Sequence, residues 1–246
     1  MKQAHFRFYE ELNELLPDDR RKVSFPYKFT GKPSVKDAIE ALGVPHVEVD
    51  LILVNGESVD FSYNLKDGDK VSVYPVFEGL DISPLIRLRE KPLREVKFIL
   101  DAHLGKLAKY LRLCGFDTLF NNHYNDPEIV NIAEKEKRII LTRDREMLKN
   151  NRVTHGYWVR SQKNEEQLKE VLTRLDLKKQ VRLYTRCMVC NTPLEEVDKE
   201  DIEDRLQPGT RRYYSEFKLC PGCGRIYWCG SHYEKMKKLI GNIIND

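Results

Sequence analysis

The sequence predicts an α/β protein in three parts, and three observations support this. Residues 1–79 have the order strand, helix, strand, turn and strand, and residues 96–182 alternate short apolar runs with amphipathic helical segments. Residues 183–246 contain two Cys-x-x-Cys pairs and few long apolar runs. Repeated strand–helix units favour a parallel sheet that is covered on both faces. Residues 80–95, with two prolines and four basic residues, are predicted to be a linker.

The composition argues against a membrane protein. Of the 246 residues, 41% are hydrophobic and 33% are charged, and no apolar run reaches the roughly eighteen residues that a membrane-spanning helix needs. The N-terminal segment carries acidic residues where a signal peptide needs an apolar core, so we expect a cytoplasmic protein. The formal net charge of +3 does not by itself indicate a nucleic-acid partner.

The first part predicts a β-grasp fold. Ser34 is the candidate N-cap of a short helix that Gly43 ends, and Asn55-Gly56 is a strong signal for a tight turn between two strands. This region resembles the small ubiquitin-like sulfur carriers of thiamin and molybdopterin synthesis, which act through a free C-terminal Gly-Gly. Here a long chain follows Gly79. We therefore expect an interaction module with this fold rather than sulfur transfer.

The two Cys-x-x-Cys pairs predict a zinc site. Their spacing lets both thiolates of one turn reach a single ion at about 2.3 Å, and two such turns complete a tetrahedron. In a chain without an export signal this pattern favours a metal over disulfides. Cys229 and His232 are predicted not to be ligands, because four cysteines already close a structural site. The predicted ligands are Cys187, Cys190, Cys220 and Cys223.

Acidic residues follow two of the predicted strands. Asp101 ends one apolar run and Asp144 follows another. If these strands are neighbours, the carboxylates converge at the carboxyl edge of the sheet, where oxygen ligands favour Mg²⁺ or Mn²⁺. Each aspartate could instead cap the helix that follows it, and capping does not exclude metal binding. A third acidic ligand is needed, and Asp126 and Glu128 are equal candidates for it. Asp126 could instead serve as the N-cap of a helix.

Basic residues near these acids predict contacts with a phosphodiester backbone. Lys106, Lys109 and Arg112 recur along one predicted helix, and Arg143 and Arg145 flank Asp144. The alternative is an ordinary solvated helix face. The cysteine-rich part adds arginines and aromatic residues of the kind that bind single strands, although its tyrosines could equally form a core. These residues are Arg186, Arg211, Arg212, Arg225, Tyr213, Tyr214, Tyr227 and Trp228.

Several sequence motifs between residues 96 and 240 resemble the RNase domain first described at the C-terminus of the exonuclease mutator-seven. In order, they are FILDAHLGKLAKYLRLCGFDTLF, IILTRDREML, VRS, TRCMVCNTPL and CPGCGRIYWCGSHYEKM. The resemblance implies a PIN-like nuclease fold, usually acting on RNA with a metal ion, that is joined to a C-terminal zinc ribbon. A ubiquitin-like module is a known companion of this family.

The resemblance also implies roles for individual residues. Asp101 is implied as the first metal ligand and Asp144 as a later one, with Asp126 or Glu128 in the second position. Thr142 matches a small hydroxyl residue that can hydrogen-bond and orient the site. His103 is expected to be incidental. His232 is expected to pack between the zinc ribbon and the nuclease domain.

Three functional hypotheses follow. The leading one is a ribonuclease that depends on Mg²⁺ or Mn²⁺, with structural Zn²⁺ and RNA as its substrate. The second is a non-catalytic adaptor, bound to RNA or the ribosome, with a degenerate PIN-like site. The weakest is sulfur transfer through the N-terminal module. We also expect a protein partner for that module and no membrane association.

Overall fold

The computed structural model describes residues 1–75, 88 and 95–245. The predicted linker, residues 80–95, lies outside the described residues except for positions 88 and 95, and so does Gly79. In these ranges, no helix combines the length and the apolar character that crossing a membrane requires.

The N-terminal module has the predicted β-grasp fold. Its sheet has the order β2-β1-β5-β3-β4; β1 and β5 are parallel and the other pairs are antiparallel. Strand β2 was not predicted, because Pro26 lies inside it and proline weakens a strand signal; β2 is an edge strand, where proline is tolerated. The elements are β1 (Lys2–Phe8), β2 (Phe25–Phe29), α1 (Val35–Ala41), β3 (Val49–Val54), β4 (Glu57–Val59) and β5 (Lys70–Pro75).

Local signals in this module act as predicted. The Ser34 side chain accepts a hydrogen bond from the backbone N–H of Asp37, and the Asp37 carboxylate accepts one from Ser34, so α1 begins with a capping box. Asn55 and Gly56 have φ angles of 53° and 94°, as the tight turn between β3 and β4 requires. A continuous apolar core, which includes Phe6 and Ile39, lies between the helix and the sheet.

The middle of the chain alternates strands with helices, as predicted. Strands β6 and β7 pair in parallel, and strands β8 and β9 also pair in parallel. Phe98, Ile99 and Leu100 are consecutive and fully buried, which is the pattern of a strand covered on both faces. The elements are β6 (Lys97–Leu100), α2 (Gly105–Leu113), β7 (Asp117–Phe120), α3 (Asp126–Glu136), β8 (Ile139–Thr142), α4 (Arg145–Leu148), β9 (Gly156–Trp158) and α5 (Asn164–Arg174).

The C-terminal part contains a small antiparallel sheet in the order β10-β11-β12 and a final helix that the sequence analysis did not anticipate. That helix is amphipathic and turns Ile240 inward among many exposed charges. The elements are β10 (Glu195–Val197), α6 (Lys199–Ile202), α7 (Pro208–Tyr213), β11 (Phe217–Leu219), β12 (Ile226–Trp228) and α8 (Ser231–Asn245).

The chain divides into two compact units. One contains Met1–Glu95 and Asp126–Trp158, and the other contains Val96–Asn125 and Val159–Asp246. The first unit therefore includes the β-grasp module together with α3, β8, α4 and β9. The second includes β6, α2, β7, α5 and the cysteine-rich part. The domain boundaries expected from the sequence stay a prediction.

Candidate functional site

Asp101 directly follows β6 and is buried, with 6% of its surface exposed. Its Oδ1 accepts a hydrogen bond of 2.9 Å from the backbone N–H of His103, which caps the short 3-10 helix Ala102–Leu104. The ring Nδ1 of His103 lies 3.7 Å from the same oxygen, and the ring is 83% exposed. The capping role is therefore present, and it holds a carboxylate at the carboxyl end of a parallel strand.

Asp144 repeats this local arrangement after β8. Its Oδ1 accepts a hydrogen bond of 2.8 Å from the backbone N–H of Glu146 and so caps α4. Asp144 is exposed, whereas Asp101 is buried. Thr142 is fully buried, and its Oγ1 accepts a hydrogen bond of 2.9 Å from the backbone N–H of Asp144. Thr142 thus fixes the backbone from which the Asp144 carboxylate projects.

The two candidates for the third acid lie at the beginning of α3. The helix begins at Asp126, and Glu128 lies in its first turn. Both residues are exposed. Negative charge there also stabilises the helix, because the N-terminal end of a helix carries partial positive charge. Both acids are therefore accessible to an ion, and the choice between them stays a prediction.

The predicted basic stripe on α2 divides into exposed and buried residues. Lys106 and Lys109 are exposed, on the face opposite the buried Leu107 and Leu111. Arg112 is 5% exposed, which corrects our interpretation of it as an RNA-binding residue. Burial lowers the pKa of the Arg112 guanidinium, and nearby groups that include Cys187 and Cys190 oppose this shift.

The Arg112 guanidinium has a structural role. It donates hydrogen bonds to three backbone oxygens, at 2.9 Å to Thr118, at 3.2 Å to Met188 and at 2.7 Å to Val189. Met188 and Val189 are the two residues between the first pair of cysteines. Arg112 therefore attaches the first cysteine turn to α2 and β7.

The arginines beside Asp144 differ in their surroundings. Arg143 is exposed, and its carbonyl oxygen accepts a hydrogen bond of 3.2 Å from the indole N–H of Trp158. The half-buried Arg145 donates a hydrogen bond of 3.0 Å to the carbonyl oxygen of Leu15, and its guanidinium lies 4.8 Å from the centre of the Trp158 ring. Arg145 thus contacts the β-grasp module.

The four predicted zinc ligands form one cluster, in which all Sγ atoms lie within 4.8 Å of one another. The Sγ atoms of Cys190 and Cys220 are 3.3 Å apart, and those of Cys187 and Cys223 are 3.5 Å apart. A tetrahedral zinc ion with bonds of about 2.3 Å requires sulfur separations of about 3.8 Å, so the cluster fits zinc. Cys229 lies outside the cluster, as expected. His232 is exposed, which contradicts its expected packing role.

Two residues that were not predicted to belong to the zinc site support this cluster. The Tyr227 hydroxyl lies 3.0 Å from the Sγ of Cys187. The Asn191 amide accepts a hydrogen bond of 2.9 Å from the Thr118 N–H and donates one of 2.9 Å to Asp117. Asn191 has a φ angle of 71°, a conformation that asparagine tolerates. An asparagine directly after a second cysteine could have signalled this role.

The predicted basic and aromatic residues of the cysteine-rich part differ in their contacts. Arg186 donates to the carbonyl oxygen of Asn191, and Arg211 pairs with Glu203. Arg212 lies 5.5 Å from the ring centre of Tyr213, which is 73% exposed. A groove of about 790 Å³ beside the sheet is lined by more acids than bases, which does not favour a phosphate backbone. Its charged residues are Glu196, Asp198, Lys199, Glu200, Asp201, Glu216 and Lys218.

Two segments of the chain match known domain families. Residues 96–240 match the Mut7-C RNAse domain and residues 1–81 match the Mut7-C ubiquitin domain. The chain matches none of the curated proteins with which it was compared.

Two crystal structures of small archaeal modifier protein 1 from Haloferax volcanii are similar to part of the chain. One is 19% identical, with a TM-score of 0.25, and the match covers 30% of this chain and 98% of the modifier protein. The other is 20% identical, with a TM-score of 0.26, and the match covers 31% of this chain and 98% of the modifier protein. The RNase-domain match spans more than half of the residues and confirms the resemblance seen in the sequence motifs. The chain therefore belongs to the Mut7-C RNase domain family, which supports a nuclease-like function.

Proposed function

We propose that the protein is a metal-dependent ribonuclease whose ion is held by Asp101, Asp144 and one acid of the first turn of α3. The observation that carries this proposal is the shared geometry of the two aspartates. Each follows a parallel strand, and each uses Oδ1 to accept the backbone N–H two residues later. Ligands of open parallel sheets bind beyond the carboxyl ends of the strands.

The donor atoms at this site suit a hard cation. Carboxylate oxygens are the ligands that Mg²⁺ and Mn²⁺ prefer, and thiolates and imidazoles are not needed. When bound, such an ion activates a water molecule for hydrolysis and stabilises the leaving oxygen. The third ligand would be Asp126 or Glu128, both of which are exposed.

The protein's own charges would hold the substrate. RNA phosphates are repelled by carboxylates, so cationic side chains must compensate near the site. Lys106, Lys109 and Arg143 are exposed and can contact a phosphodiester backbone. Arg145 could contribute in part, since its guanidinium is also engaged with Leu15 and Trp158.

The four-cysteine cluster would hold a structural zinc ion. Four thiolates fill a tetrahedral site and leave no open position for a substrate or water. The Arg112 contacts connect this cluster to the helix that carries Lys106 and Lys109. Zinc would thus stabilise the fold and the basic face rather than take part in hydrolysis.

The test is cleavage of assorted RNAs by the full chain with Mn²⁺, with Mg²⁺ or with EDTA. Asp101→Asn and Asp144→Asn keep an oxygen that can cap the following turn and remove the charge. We expect each to lower cleavage by at least about a hundredfold, while the melting temperature and zinc content stay near those of the wild type.

Asp60→Asn is the matched control. Asp60 is an exposed residue of the β-grasp module whose Oδ1 accepts the backbone N–H of Ser62 at 2.8 Å, the same local arrangement as in Asp101 and Asp144. We expect it to leave cleavage unchanged. Full cleavage by Asp144→Asn would overturn the proposed mechanism. RNA binding without cleavage in every variant, with or without metal, would favour the adaptor hypothesis.

A further inference from the structure

The β-grasp module contacts the segment that carries Asp144, within one compact unit. Lys36 Nζ donates a hydrogen bond of 2.7 Å to Asn151, and a ring nitrogen of His46 lies 3.0 Å from the carbonyl oxygen of Val153. Glu48 and Leu15 accept hydrogen bonds from Trp158 and Arg145. The module is therefore packed against α4 and β9 as well as connected to them through the chain.

Two of these contacts lie on a path to Asp144. Glu48 is 2% exposed, and its Oε1 accepts a hydrogen bond of 2.8 Å from the backbone N–H of Trp158. Trp158 is the last residue of β9 and pairs in register with Thr142 of β8. Thr142 in turn accepts the backbone N–H of Asp144. A carboxylate of the module thus fixes the strand end that lies beside the turn carrying Asp144.

The Trp158 side chain supports the residues on both sides of Asp144. Its indole N–H donates to the carbonyl oxygen of Arg143, at 3.2 Å, and its ring lies under the Arg145 guanidinium, at 4.8 Å from the ring centre. The ring also packs against the apolar core of the module. Arg145 completes this arrangement with its hydrogen bond to Leu15.

Asp144 itself is exposed and lies in a turn between β8 and a helix of only four residues. Metal ligands must be held to within about half an ångström of their working geometry by packed neighbours. Among the described residues, the neighbours that flank Asp144 and are themselves buried or half-buried include Thr142, Arg145 and Trp158. Two of these three are held by the β-grasp module.

We propose that the β-grasp module positions the Asp144 turn for metal binding, with Glu48 and Trp158 as the positioning residues. This inference rests on the proposed function, because it concerns the same site. The module is then an integral part of the nuclease and not solely a surface for a protein partner.

The test combines RNA cleavage at varied Mn²⁺ with amide hydrogen exchange of residues 143–146. Glu48→Ala removes the acceptor of the Trp158 N–H, whereas Glu48→Gln keeps an oxygen in its place. Trp158→Phe keeps an aromatic ring beneath Arg145 and removes the indole N–H. Glu57→Ala, an exposed residue of β4, is the control.

We expect Glu48→Ala to raise the Mn²⁺ concentration for half-maximal cleavage at least fivefold and to speed exchange of the Asp144 and Glu146 amides at least tenfold. In Glu48→Gln, the Mn²⁺ requirement and the exchange rates should both stay within twofold of the wild-type values. In Trp158→Phe, both should lie between those of the wild type and those of Glu48→Ala. The KM for RNA should not change. A merely structural role would reduce the folded fraction and kcat without altering the Mn²⁺ requirement.

Unchanged exchange and an unchanged Mn²⁺ requirement in Glu48→Ala and Trp158→Phe would overturn the inference. If the wild type cleaves no RNA, the proposed function has failed, and exchange alone then decides the positioning of the turn. If Glu48→Ala does not fold, the comparison of Trp158→Phe with the wild type decides it in the same way.

Discussion

The β-grasp module and the zinc ribbon are anchored alike and stabilised differently. In each case a buried charged side chain contacts backbone groups distant in sequence: Glu48 accepts the Trp158 N–H, and Arg112 donates to the carbonyl oxygens of Met188 and Val189. The module has its own apolar core, whereas the ribbon buries fewer apolar side chains and brings four thiols together. We therefore expect the β-grasp module to stay folded without metal and the zinc ribbon to unfold.

Removal of zinc should separate the two regions most clearly. Cys187→Ser should abolish stoichiometric zinc and unfold the ribbon while the β-grasp module stays folded, because zinc contributes on the order of 10 kcal/mol to small zinc domains. Zinc content and hydrogen exchange along the chain would measure this. Cys229→Ser, outside the cluster, should keep both zinc and protection. Full zinc content in Cys187→Ser would contradict a four-cysteine site.

Loss of the Arg112 anchor should have the next largest effect. Arg112→Ala removes the donor from three backbone oxygens and should lower the free energy of unfolding by about 2–4 kcal/mol. Urea unfolding with zinc present would measure this. Lys109→Ala, exposed on the same helix, should change that free energy by less than about 0.5 kcal/mol. Equal effects of the two substitutions would contradict a structural role for Arg112.

The exposed lysines of α2 should affect RNA binding without affecting stability. Lys106→Ala with Lys109→Ala should weaken RNA binding, and each lost phosphate contact should reduce the slope of log affinity against log salt by about 0.7 for single strands. Binding titrations at several salt concentrations would measure this. Lys28→Ala with Lys32→Ala, exposed on the β-grasp module, is the control. The same slope of log affinity against log salt in both double variants would show that RNA does not contact the lysines of α2.

The smallest expected effect is the pH dependence of stability in the first compact unit, which contains the β-grasp module. Burial and the charge of Lys36 lower the pKa of His46, against its hydrogen bond with Glu40. Well above pH 6.5, which is about the ordinary pKa of histidine, the ring is neutral in both the folded and the unfolded state. As the pH falls below that value, the unfolded state binds a proton more readily than the folded state, so stability decreases. The loss is about 1.4 kcal/mol for each unit of pKa difference.

His46→Gln should remove this pH dependence. Unfolding of the first unit would be followed between pH 7.5 and pH 5.5, and the decrease in stability at low pH should be smaller in this variant than in the wild type. His232→Gln, an exposed residue of the C-terminal part, should leave the dependence unchanged. Greater stability of the wild type at pH 5.5 than at pH 7.5 would contradict the direction of the shift.

Features set by neighbours in the chain could be predicted from the sequence. The capping box at Ser34, the turn at Asn55-Gly56 and the alternation of strands and helices are all present. The capping by Asp101 and Asp144 was also anticipated, as an alternative to metal binding. Strand β2 was missed because its proline is tolerated only through its place at a sheet edge, which the local sequence does not reveal.

The candidate site was less predictable than the fold, because burial depends on distant residues. Arg112 has the spacing of an exposed stripe with Lys106 and Lys109, yet it is buried. Its partners at Met188 and Val189 are 76 and 77 residues away. A helical period gives the face of a residue but does not say which other segment covers that face.

The sequence by itself determined the local chemistry: four cysteines spaced for zinc, aspartates after strands, and the family to which the chain belongs. Only the tertiary structure decided which charges are anchors. Glu48 and Trp158 are 110 residues apart, and their hydrogen bond connects the β-grasp module to the strand beside the Asp144 turn. The physical reason is that a buried charge requires a specific partner, and the folded chain supplies that partner from a remote segment.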